Sequence, residues 1–377
     1  MKNIKIDILM ATYNAEKYLR KQLDSITRQK FKGWRLVVRD DASRDGTVKL
    51  LESYAKKYYG KIKIIKGDVN VGAKMNFTKL IKYSKADYVM FSDQDDIWLP
   101  DKISKTLSCM LNTEERNGRK TPILVHTDLA VIDENGQRKS NSFWEYQKIN
   151  ENLKNFNRLL AQNNVTGCTL MINKALMKIA TPIPKEAIMH DWWFALVASV
   201  FGHIEHLDYR SVLYRQHDKN VLGAKKWGLS LFYKKAWSFE ANRQAIINTI
   251  VQATKFKNIY CERLDTRNLS RVEIYSRLRE YNYISRIILI IKHRYFKYGF
   301  LRNLGFLFIG IRQGKSSRYI FGASIAILLF VVMTIYLING QDGRFIRGLS
   351  KICFFFIIFT IFNEFVSLLS NRKTIDY

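Results

Sequence analysis

The chain has 377 residues, which is more than one ordinary domain needs and allows two or three structural units. Hydrophobic residues make up 47% and charged residues 25%, so a large core can form and wholesale disorder is excluded. The formal net charge of +29 requires a polyanionic neighbour such as nucleic acid, an anionic membrane or a phosphorylated substrate. The four cysteines lie far apart, which excludes a disulfide framework and a cysteine-rich zinc module.

The N-terminal segment alternates apolar and polar residues from Ile4 to Met10 and predicts a first β-strand. Its apolar run is short, is interrupted by Asp7 and precedes no small-residue cleavage site. We therefore expect no secretory signal, and we expect the catalytic part of the chain to stay in the cytosol.

Strand-like and helix-like segments alternate up to about residue 130. Further strands are predicted at Trp34–Arg39, Lys61–Lys66, Tyr88–Ser92 and Ile123–His126. The segments between them place apolar residues on one helical face, as in Tyr18, Leu19, Leu23 and Ile26, and in Val48, Leu51, Tyr54 and Ala55. This alternation predicts an α/β fold with a mostly parallel sheet that is covered by helices on both faces.

Polar segments follow four of the predicted strands. They are Ala11–Asn14, Asp40–Asp41, Gly67–Asn70 and Ser92–Asp96. Ligands of such sheets bind outside the carboxyl ends of the strands, so the sequence predicts a ligand site at this edge.

We predict a catalytic domain over residues 1–225 and a basic helical region over residues 226–318. The second half of the catalytic domain is less regular, with a polar stretch (Asp133–Asn141), a strand candidate (Gly167–Ile172) and a helix from Asp191 onward. Between Arg286 and Arg318 lie eight Lys or Arg and no Asp or Glu, interleaved with apolar residues. Such a stretch is typical of a helix lying in an anionic membrane interface, and a buried helix pair with a solvated basic rim is the alternative.

Two apolar runs follow within residues 319–370. Tyr319–Ile338 has 20 residues without a charge, and a helix of that length spans about 30 Å, one hydrocarbon core. Ile352–Leu369 is as apolar except for Glu364. We predict one or two transmembrane helices. Three basic residues in the connecting loop oppose an outside location, so in the alternative the second run is re-entrant or packs against a partner. The positive-inside rule places the basic N-terminal part in the cytoplasm.

Asp93 and Asp95 lie two residues apart after an apolar strand. Residues i and i+2 of an extended chain point the same way, so both carboxylates face one spot. They repel each other unless a cation lies between them, and oxygen ligands favour Mg²⁺ or Mn²⁺. A solvated acidic turn has the same pattern in isolation, but the apolar strand before it and Ile97–Pro100 after it favour the metal site.

A second acidic pair, Asp40 and Asp41, follows the strand Trp34–Arg39. Ser43 or Asp45 beyond it could N-cap the next helix. The acidic pair precedes the cap and is expected to face the crevice at the strand ends, where a carboxylate can accept the imide N–H of a pyrimidine.

Four segments follow one another along the chain: ATYNAEKYLRKQLDSITRQ, VVRDDASRDGT, NVGAKMNF and FSDQDDIWLPDKI. They resemble the family 2 glycosyltransferases of GT-A fold, and among these the bacterial rhamnosyltransferases of polysaccharide assembly, over about residues 4–225. The resemblance implies a metal-dependent inverting transfer from a nucleotide-sugar, with dTDP-L-rhamnose as first candidate and a UDP-hexose or another nucleotide-sugar as alternatives. The implied acceptor is a lipid-linked or growing cell-surface polysaccharide.

The resemblance also implies roles for individual residues. The metal ligands would be Asp93, Asp95 and His217. The donor nucleotide would contact Thr12, Tyr13, Asn14, Asp41, Asn70, Gly72, Asn76, Asp93 and Arg215, with Arg215 as a clamp on the leaving group. Asp191 would be the general base, although His190 stands where many members carry Glu. Either Trp192 or Trp193 could stack on the acceptor sugar.

Each of these roles has an ordinary structural alternative: a helix N-cap for Asp191, a surface loop histidine for His217, and core packing for both tryptophans. Two other function classes fit parts of the sequence. A nucleic-acid binder fits the charge, but we find no recognition helix or base-stacking motif and expect no nucleic-acid partner. A sugar nucleotidyltransferase usually opens with a glycine-rich phosphate loop, and residues 11–20 contain no glycine.

Overall fold

The computed structural model describes residues 4–217 and 239–308. The predicted transmembrane segments 319–338 and 352–369 lie outside these residues, as does the last part of the predicted catalytic domain. Among the helices of the described part, none combines the length and the apolar character that crossing a bilayer requires.

One mixed sheet runs through the described residues. Its strands are β1 (Ile6–Thr12), β2 (Trp34–Asp40), β3 (Ile62–Lys66), β4 (Tyr88–Ser92), β5 (Ile97–Trp98), β6 (Ile123–Ile132), β7 (Arg138–Ser140), β8 (Met171–Asn173) and β9 (His203–Arg215). The order is β3-β2-β1-β4-β8-β6-β9-β5, with β7 paired to β6.

The helices of the described residues follow in chain order. They are α1 (Glu16–Thr27), α2 (Thr47–Lys57), α3 (Ala73–Leu80), α4 (Lys102–Asn117), α5 (Phe143–Gln147), α6 (Phe156–Ala161), α7 (Lys174–Ala180), α8 (His190–Phe201), α9 (Phe239–Tyr260), α10 (Thr266–Ser276), α11 (Tyr283–Lys292) and α12 (Phe300–Phe308).

The prediction of a mostly parallel sheet is correct for the N-terminal half and wrong for the whole. The strands β3, β2, β1 and β4 are parallel, and β6 is parallel to β9. The pairs β4–β8, β6–β8, β6–β7 and β5–β9 are antiparallel. Parallel pairing needs a crossover of a dozen or more residues, and the short connection from β6 to β7 closes an antiparallel hairpin instead.

Helices cover both faces of the sheet, as predicted. Alternate residues of a strand point to opposite faces. Leu9 and Phe91 belong to one buried core, which α3, α6, α7, α8 and α9 cover. Ile8 and Met90 belong to the other, which α1, α2 and α4 cover.

The helical region after residue 239 shares the first of these cores. Phe256 of α9 is fully buried and its ring lies 5.6 Å from that of Trp193 in α8. Tyr260 donates a hydrogen bond of 2.8 Å to the carbonyl of Ile179, at the end of α7. Side chains of α10 and α11, Tyr275 and Ile290 among them, belong to the same core cluster.

The strand register brings the polar segments together. Thr12 pairs with Asp40, and Asp40 pairs with Lys66, at the ends of β1, β2 and β3. Ser92, the last residue of β4, pairs with Met10. The segments that follow β1, β2, β3 and β4 therefore meet at one edge of the sheet, as the sequence predicted.

Gly202 ends α8 where the chain passes close to Pro122. A Cβ on residue 202 would lie 1.8 Å from the Pro122 carbonyl oxygen, so backbone would have to move. Gly202→Ala should lower the free energy of unfolding by about 1–3 kcal/mol, measured by urea or thermal unfolding. Gly305→Ala is the control, because a Cβ there meets open space in α12. An unchanged unfolding midpoint for Gly202→Ala would contradict the close approach.

Candidate active site

Three carboxylates follow β4 at the centre of this edge. Asp93 is half-buried, whereas Asp95 and Asp96 are 8% and 0% exposed. Burial, together with the charges of Asp95 and Asp191, raises the pKa of Asp93 to about 7. Burial and the charges of Asp95 and Asp93 raise the pKa of Asp96 well above its ordinary value. The cluster therefore concentrates negative charge that a divalent cation would balance.

His217 lies against this cluster. Its Nε2 is 2.7 Å from Oδ2 of Asp95, and its ring stacks on Tyr18 with centroids 4.9 Å apart. The His217 side chain is 10% exposed, so it is not the surface loop histidine of the alternative. The structure joins Asp95 and His217 directly, whereas the ligand atom of Asp93 lies within 4.8 Å of those of Asp96 and Cys168. The predicted ligand set of Asp93, Asp95 and His217 is thus brought together only in part. Carboxylate oxygens of this kind are the donors that Mg²⁺ or Mn²⁺ prefers.

Arg215 is fully buried beneath the carboxylates. Its backbone N–H donates to Oδ1 of Asp96 at 3.1 Å, and its Nε donates to the carbonyl of Asp95 at 3.0 Å. Its Nη1 donates to the carbonyls of Asp133 and Glu134 at 3.2 and 2.9 Å. In this conformation the guanidinium holds the acidic loop to the end of β9, and its burial does not fit the predicted contact with a leaving group.

The predicted nucleotide residues after β2 and β3 form one hydrogen-bonded unit around Arg39. Asp41, 2% exposed, pairs with Arg39 Nη1 at 2.7 Å and accepts the N–H groups of Val71 and Gly72 at 2.9 and 2.8 Å. Asn76 is 1% exposed and bonds Arg39 twice, at 3.0 Å each. Asp41 thus fastens the loop that ends at Gly72 to the end of β2.

Asn70 and the residues after β1 line the same edge. Thr12 is buried and donates its hydroxyl to Oδ1 of Asp40 at 3.0 Å. Asn14 has a left-handed φ of 46° and accepts the N–H of Arg44 at 2.9 Å. Asn70 is exposed and accepts the N–H of Gly72 at 3.0 Å.

Tyr13 is 41% exposed and is tied to the acidic loop. Its N–H donates to Oε1 of Gln94 at 2.7 Å, and Nε2 of Gln94 donates back to the Tyr13 carbonyl at 3.2 Å. Gln94 lies between the two predicted metal ligands, so this pair of bonds fixes the loop after β1 relative to the metal motif.

Asp191 lies in the first turn of α8, whose N-cap is Met189, so it is not the N-cap of the alternative. Its Oδ1 accepts the N–H of Trp192 at 2.7 Å, and the N–H of Gly167 and the side chain of Asn163 also bond it. Burial nevertheless raises its pKa to about 6. Its charge contributes to the raised pKa of Asp93, so the structure brings the predicted base and the predicted metal ligands into one electrostatic cluster.

His190 is buried between two aromatic rings, 4.3 Å from that of Phe77 and 4.7 Å from that of Phe91. Burial lowers its pKa to about 3, so the imidazole is neutral at physiological pH. A Cβ on Gly167 would meet its Nε2 at 3.1 Å. His190 therefore adds no positive charge beside Asp191.

The two predicted acceptor tryptophans have different surroundings. Trp193 is fully buried in the core and donates its indole N–H to the carbonyl of Ala180 at 3.0 Å, so a sugar cannot reach it in this conformation. Trp192 is half-buried and donates its indole N–H to the carbonyl of Leu159 at 2.6 Å. Trp192 is thus the tryptophan that keeps accessible surface next to Asp191.

Three residues that support this edge were not predicted from the sequence. Lys102 is fully buried, and burial lowers its pKa to about 8; it donates to the carbonyl of Cys168 at 3.0 Å and to Oγ of Ser211 at 3.2 Å. Gly167 and Asn163 bond Asp191. Lys102 follows the acidic motif closely in sequence, which was a usable signal, whereas Gly167 and Asn163 reach Asp191 through the fold.

Comparison with known proteins identifies the family of this chain. The family described as "Glycosyl transferase family 2" matches residues 7–180. The dTDP-rhamnosyl transferase RfbG of Shigella flexneri is 30% identical over 228 residues, which cover 57% of this chain and 74% of that protein. The chain belongs to the family 2 glycosyltransferases.

Two further similarities are more distant. The UDP-Glc:alpha-D-GlcNAc-diphosphoundecaprenol beta-1,3-glucosyltransferase WfgD of Escherichia coli is 27% identical, over 46% of this chain and 61% of that protein. A solved structure of the mannosyltransferase PcManGT from Pyrobaculum calidifontis, in complex with GDP-Man and Mn²⁺, shares the fold with a TM-score of 0.50. It is 12% identical, and the alignment covers 95% of this chain and 86% of that one.

The raised pKa of Asp191 predicts how turnover depends on pH. A base must be unprotonated, so kcat should fall about tenfold for each pH unit below about 6, where an unperturbed Asp would stay active to about pH 4. Single-turnover rates measured from pH 4.5 to 8 test this. A rate that stays flat down to pH 4.5 would contradict the assignment of Asp191 as base.

Asp191→Asn should lower kcat by about 100- to 10,000-fold. The pKa of Asp191 is raised by folding, so its contribution to stability falls as pH rises through the window from 3.8 to about 6, and about 3 kcal/mol is lost at pH 8. The Tm of the variant at pH 8 should therefore not be lower than that of the wild type. Asp87→Asn, at an exposed position, is the control.

Proposed function

We propose that this chain is a metal-dependent inverting glycosyltransferase that moves L-rhamnose from dTDP-L-rhamnose onto a lipid-linked or growing cell-surface polysaccharide. The reaction takes place at the cell membrane, with the catalytic domain facing the cytoplasm. The observation that carries the reaction type is the position of Asp191, a half-buried carboxylate whose charge acts on Asp93 of the acidic cluster.

The catalytic step needs a base and a stabilised leaving group. A divalent cation held by Asp93, Asp95 and His217 would neutralise charge on the departing nucleoside diphosphate when bound. Asp191 takes the proton of the acceptor hydroxyl as that oxygen attacks the anomeric carbon from the face opposite the leaving group. The C–O bond to the diphosphate breaks as the new glycosidic bond forms, so one displacement inverts the anomeric centre.

The scaffold orients the base and the two substrates, and the proposed step needs no covalent nucleophile. The Asp191 carboxylate is held in place by hydrogen bonds from the N–H groups of Gly167 and Trp192 and from the Asn163 side chain. Exposed Tyr13 and the loop ending at Gly72, held by Asp41, flank the place where a nucleotide would lie. Orientation of two bound substrates in this way accounts for a large part of such a rate enhancement.

The donor is the finer part of the proposal. Rhamnose is favoured by the similarity to RfbG, which is named for dTDP-rhamnosyl transfer. The similarity to WfgD, named for a UDP-Glc donor and a diphosphoundecaprenol-linked acceptor, makes a UDP-hexose the alternative and supports a lipid-linked acceptor. Sugar choice depends on a few loop side chains that the shared fold does not fix.

A donor screen tests the proposal. The full-length protein in detergent with Mn²⁺ or Mg²⁺ is offered dTDP-, UDP- and GDP-sugars, and nucleoside diphosphate release is measured. We expect turnover of dTDP-L-rhamnose above all others. Turnover of a UDP-hexose instead would overturn the rhamnose assignment and keep the reaction type. A crude extract that supplies lipid-linked saccharides serves as the acceptor source. If no donor is turned over in its presence, both the rhamnose assignment and the reaction type are contradicted.

Asp95→Ala should abolish metal-dependent turnover, because it removes one carboxylate of the set and the partner of His217. Mn²⁺ binding, followed by the paramagnetic signal of the free ion, should be lost in the same variant. Asp87→Ala is the matched control at an exposed position. Full turnover by Asp95→Ala with an unchanged metal requirement would remove Asp95 from the metal site.

A further inference from the structure

The helix α11 exposes a row of isoleucines. Ile284, Ile288 and Ile291 are 70%, 56% and 51% exposed. Their spacing of four and three residues places them in one stripe along the helix, which we call the isoleucine ridge. The opposite side of α11 is packed, with Arg286 and Ile290 3% and 1% exposed. A contiguous exposed apolar row of this kind marks an interaction surface rather than ordinary scattered exposure.

The charge around the ridge selects the partner. Lys292 lies four residues after Ile288 and is exposed, as is Arg294. The sequence from Arg286 to Arg318 has eight Lys or Arg and no acidic residue. An apolar row bordered by cations suits a surface that is apolar within and anionic at its rim, which is the interface of an anionic bilayer.

The chain that follows points to the same partner. From the end of α12 at Phe308, ten residues (309–318) lead to the uncharged run Tyr319–Ile338. A run of 20 uncharged residues is long enough to cross a hydrocarbon core. The ridge and this run are thus near neighbours in sequence, and a single bilayer can accommodate both.

The ridge is fastened to the acceptor side of the candidate active site. Asn157 of α6 is 5% exposed, and its Nδ2 donates to the carbonyls of His293 and Arg294, directly after α11, at 3.0 and 2.9 Å. Two residues along α6, the carbonyl of Leu159 accepts the indole N–H of Trp192. Trp192 in turn donates its backbone N–H to Asp191. The end of α11 and the proposed base are therefore joined through one buried helix.

We infer that the isoleucine ridge docks into the surface of an anionic lipid bilayer and holds the Trp192 side of the active site against it. The inference rests on the proposed function in one respect, since a lipid-linked acceptor would be presented at that surface. Residues Ile284, Ile288 and Ile291 enter the interface, while Lys292 and Arg294 contact the anionic headgroups. An acceptor anchored in the same leaflet then reaches Asp191 by lateral diffusion.

Depth measurements on the full-length protein test the docking. In a background with Cys261→Ser and Cys353→Ser, a spin label is placed at residue 284, 288 or 291, and at residue 259 as control. Ile259 is 43% exposed on α9, a matched isoleucine away from the ridge. The protein is reconstituted in vesicles of phosphatidylcholine with 30% phosphatidylglycerol. Accessibility to oxygen, which concentrates in lipid, is compared with accessibility to a water-soluble nickel complex.

We expect ridge labels to be accessible to oxygen and protected from nickel, and the label at 259 to remain accessible to nickel. Ridge labels that stay accessible to nickel would overturn the inference. Low accessibility to both reagents would also overturn it, because the ridge would then be covered by protein, either residues 309–377 or a second copy of the chain.

A functional comparison separates this inference from the proposed activity. The triple variant Ile284→Ser, Ile288→Ser, Ile291→Ser should lose at least about tenfold in transfer to a vesicle-borne acceptor. Transfer to a short water-soluble acceptor should be unchanged, and Ile259→Ser should change neither rate. An equal loss with both acceptors would show that the ridge serves folding rather than docking. If no transfer occurs in any variant, the proposed function fails, and the depth measurement still decides the docking.

Discussion

The candidate site depends on keeping like charges close together. Four carboxylates, those of Asp93, Asp95, Asp96 and Asp191, lie at one edge of the sheet, and mutual repulsion adds to burial in raising the pKa of Asp93 and Asp96. A protein gains no stability from such an arrangement, because each buried negative charge is costly without a partner. The arrangement is therefore best explained by chemistry that needs the charge, namely binding of a cation and removal of a proton.

The surrounding structure holds these charges in place with backbone groups and buried cations. Arg215 donates to the main chain of the acidic loop, and Lys102 donates to the carbonyl of Cys168 in the turn that also supplies the Gly167 amide to Asp191. On the nucleotide side, Arg39 joins Asp41 to Asn76. Each of these cations is buried and committed to positioning, so the local negative potential at the open edge remains available to a ligand.

Much of the N-terminal half of the fold could be predicted from the sequence, because it depends on local patterns. The strand β4 was predicted with its observed bounds, and the two faces of the sheet follow from alternation along β1 and β4. The residue types of the acidic motif were evident in the sequence, but the i, i+2 geometry of an extended chain does not apply to it, because β4 ends at Ser92 and Asp93 lies with Asp96 and Cys168. The antiparallel second half was not readable, because short strands such as β8 gain their pairing from neighbours far along the chain. Likewise the burial of Trp193 and Arg215 depends on α9 and on the acidic loop, which no local pattern reveals.

The central claim is that Asp191 activates an acceptor hydroxyl for one direct displacement at the anomeric carbon. The most direct test is the stereochemistry of the product. Donor and isolated product are compared by NMR, through the one-bond carbon–hydrogen coupling at the anomeric position. We expect the anomeric configuration of the transferred sugar to be opposite to that in the donor. Retention of configuration would contradict it, because retention requires a second displacement or attack from the side of the leaving group.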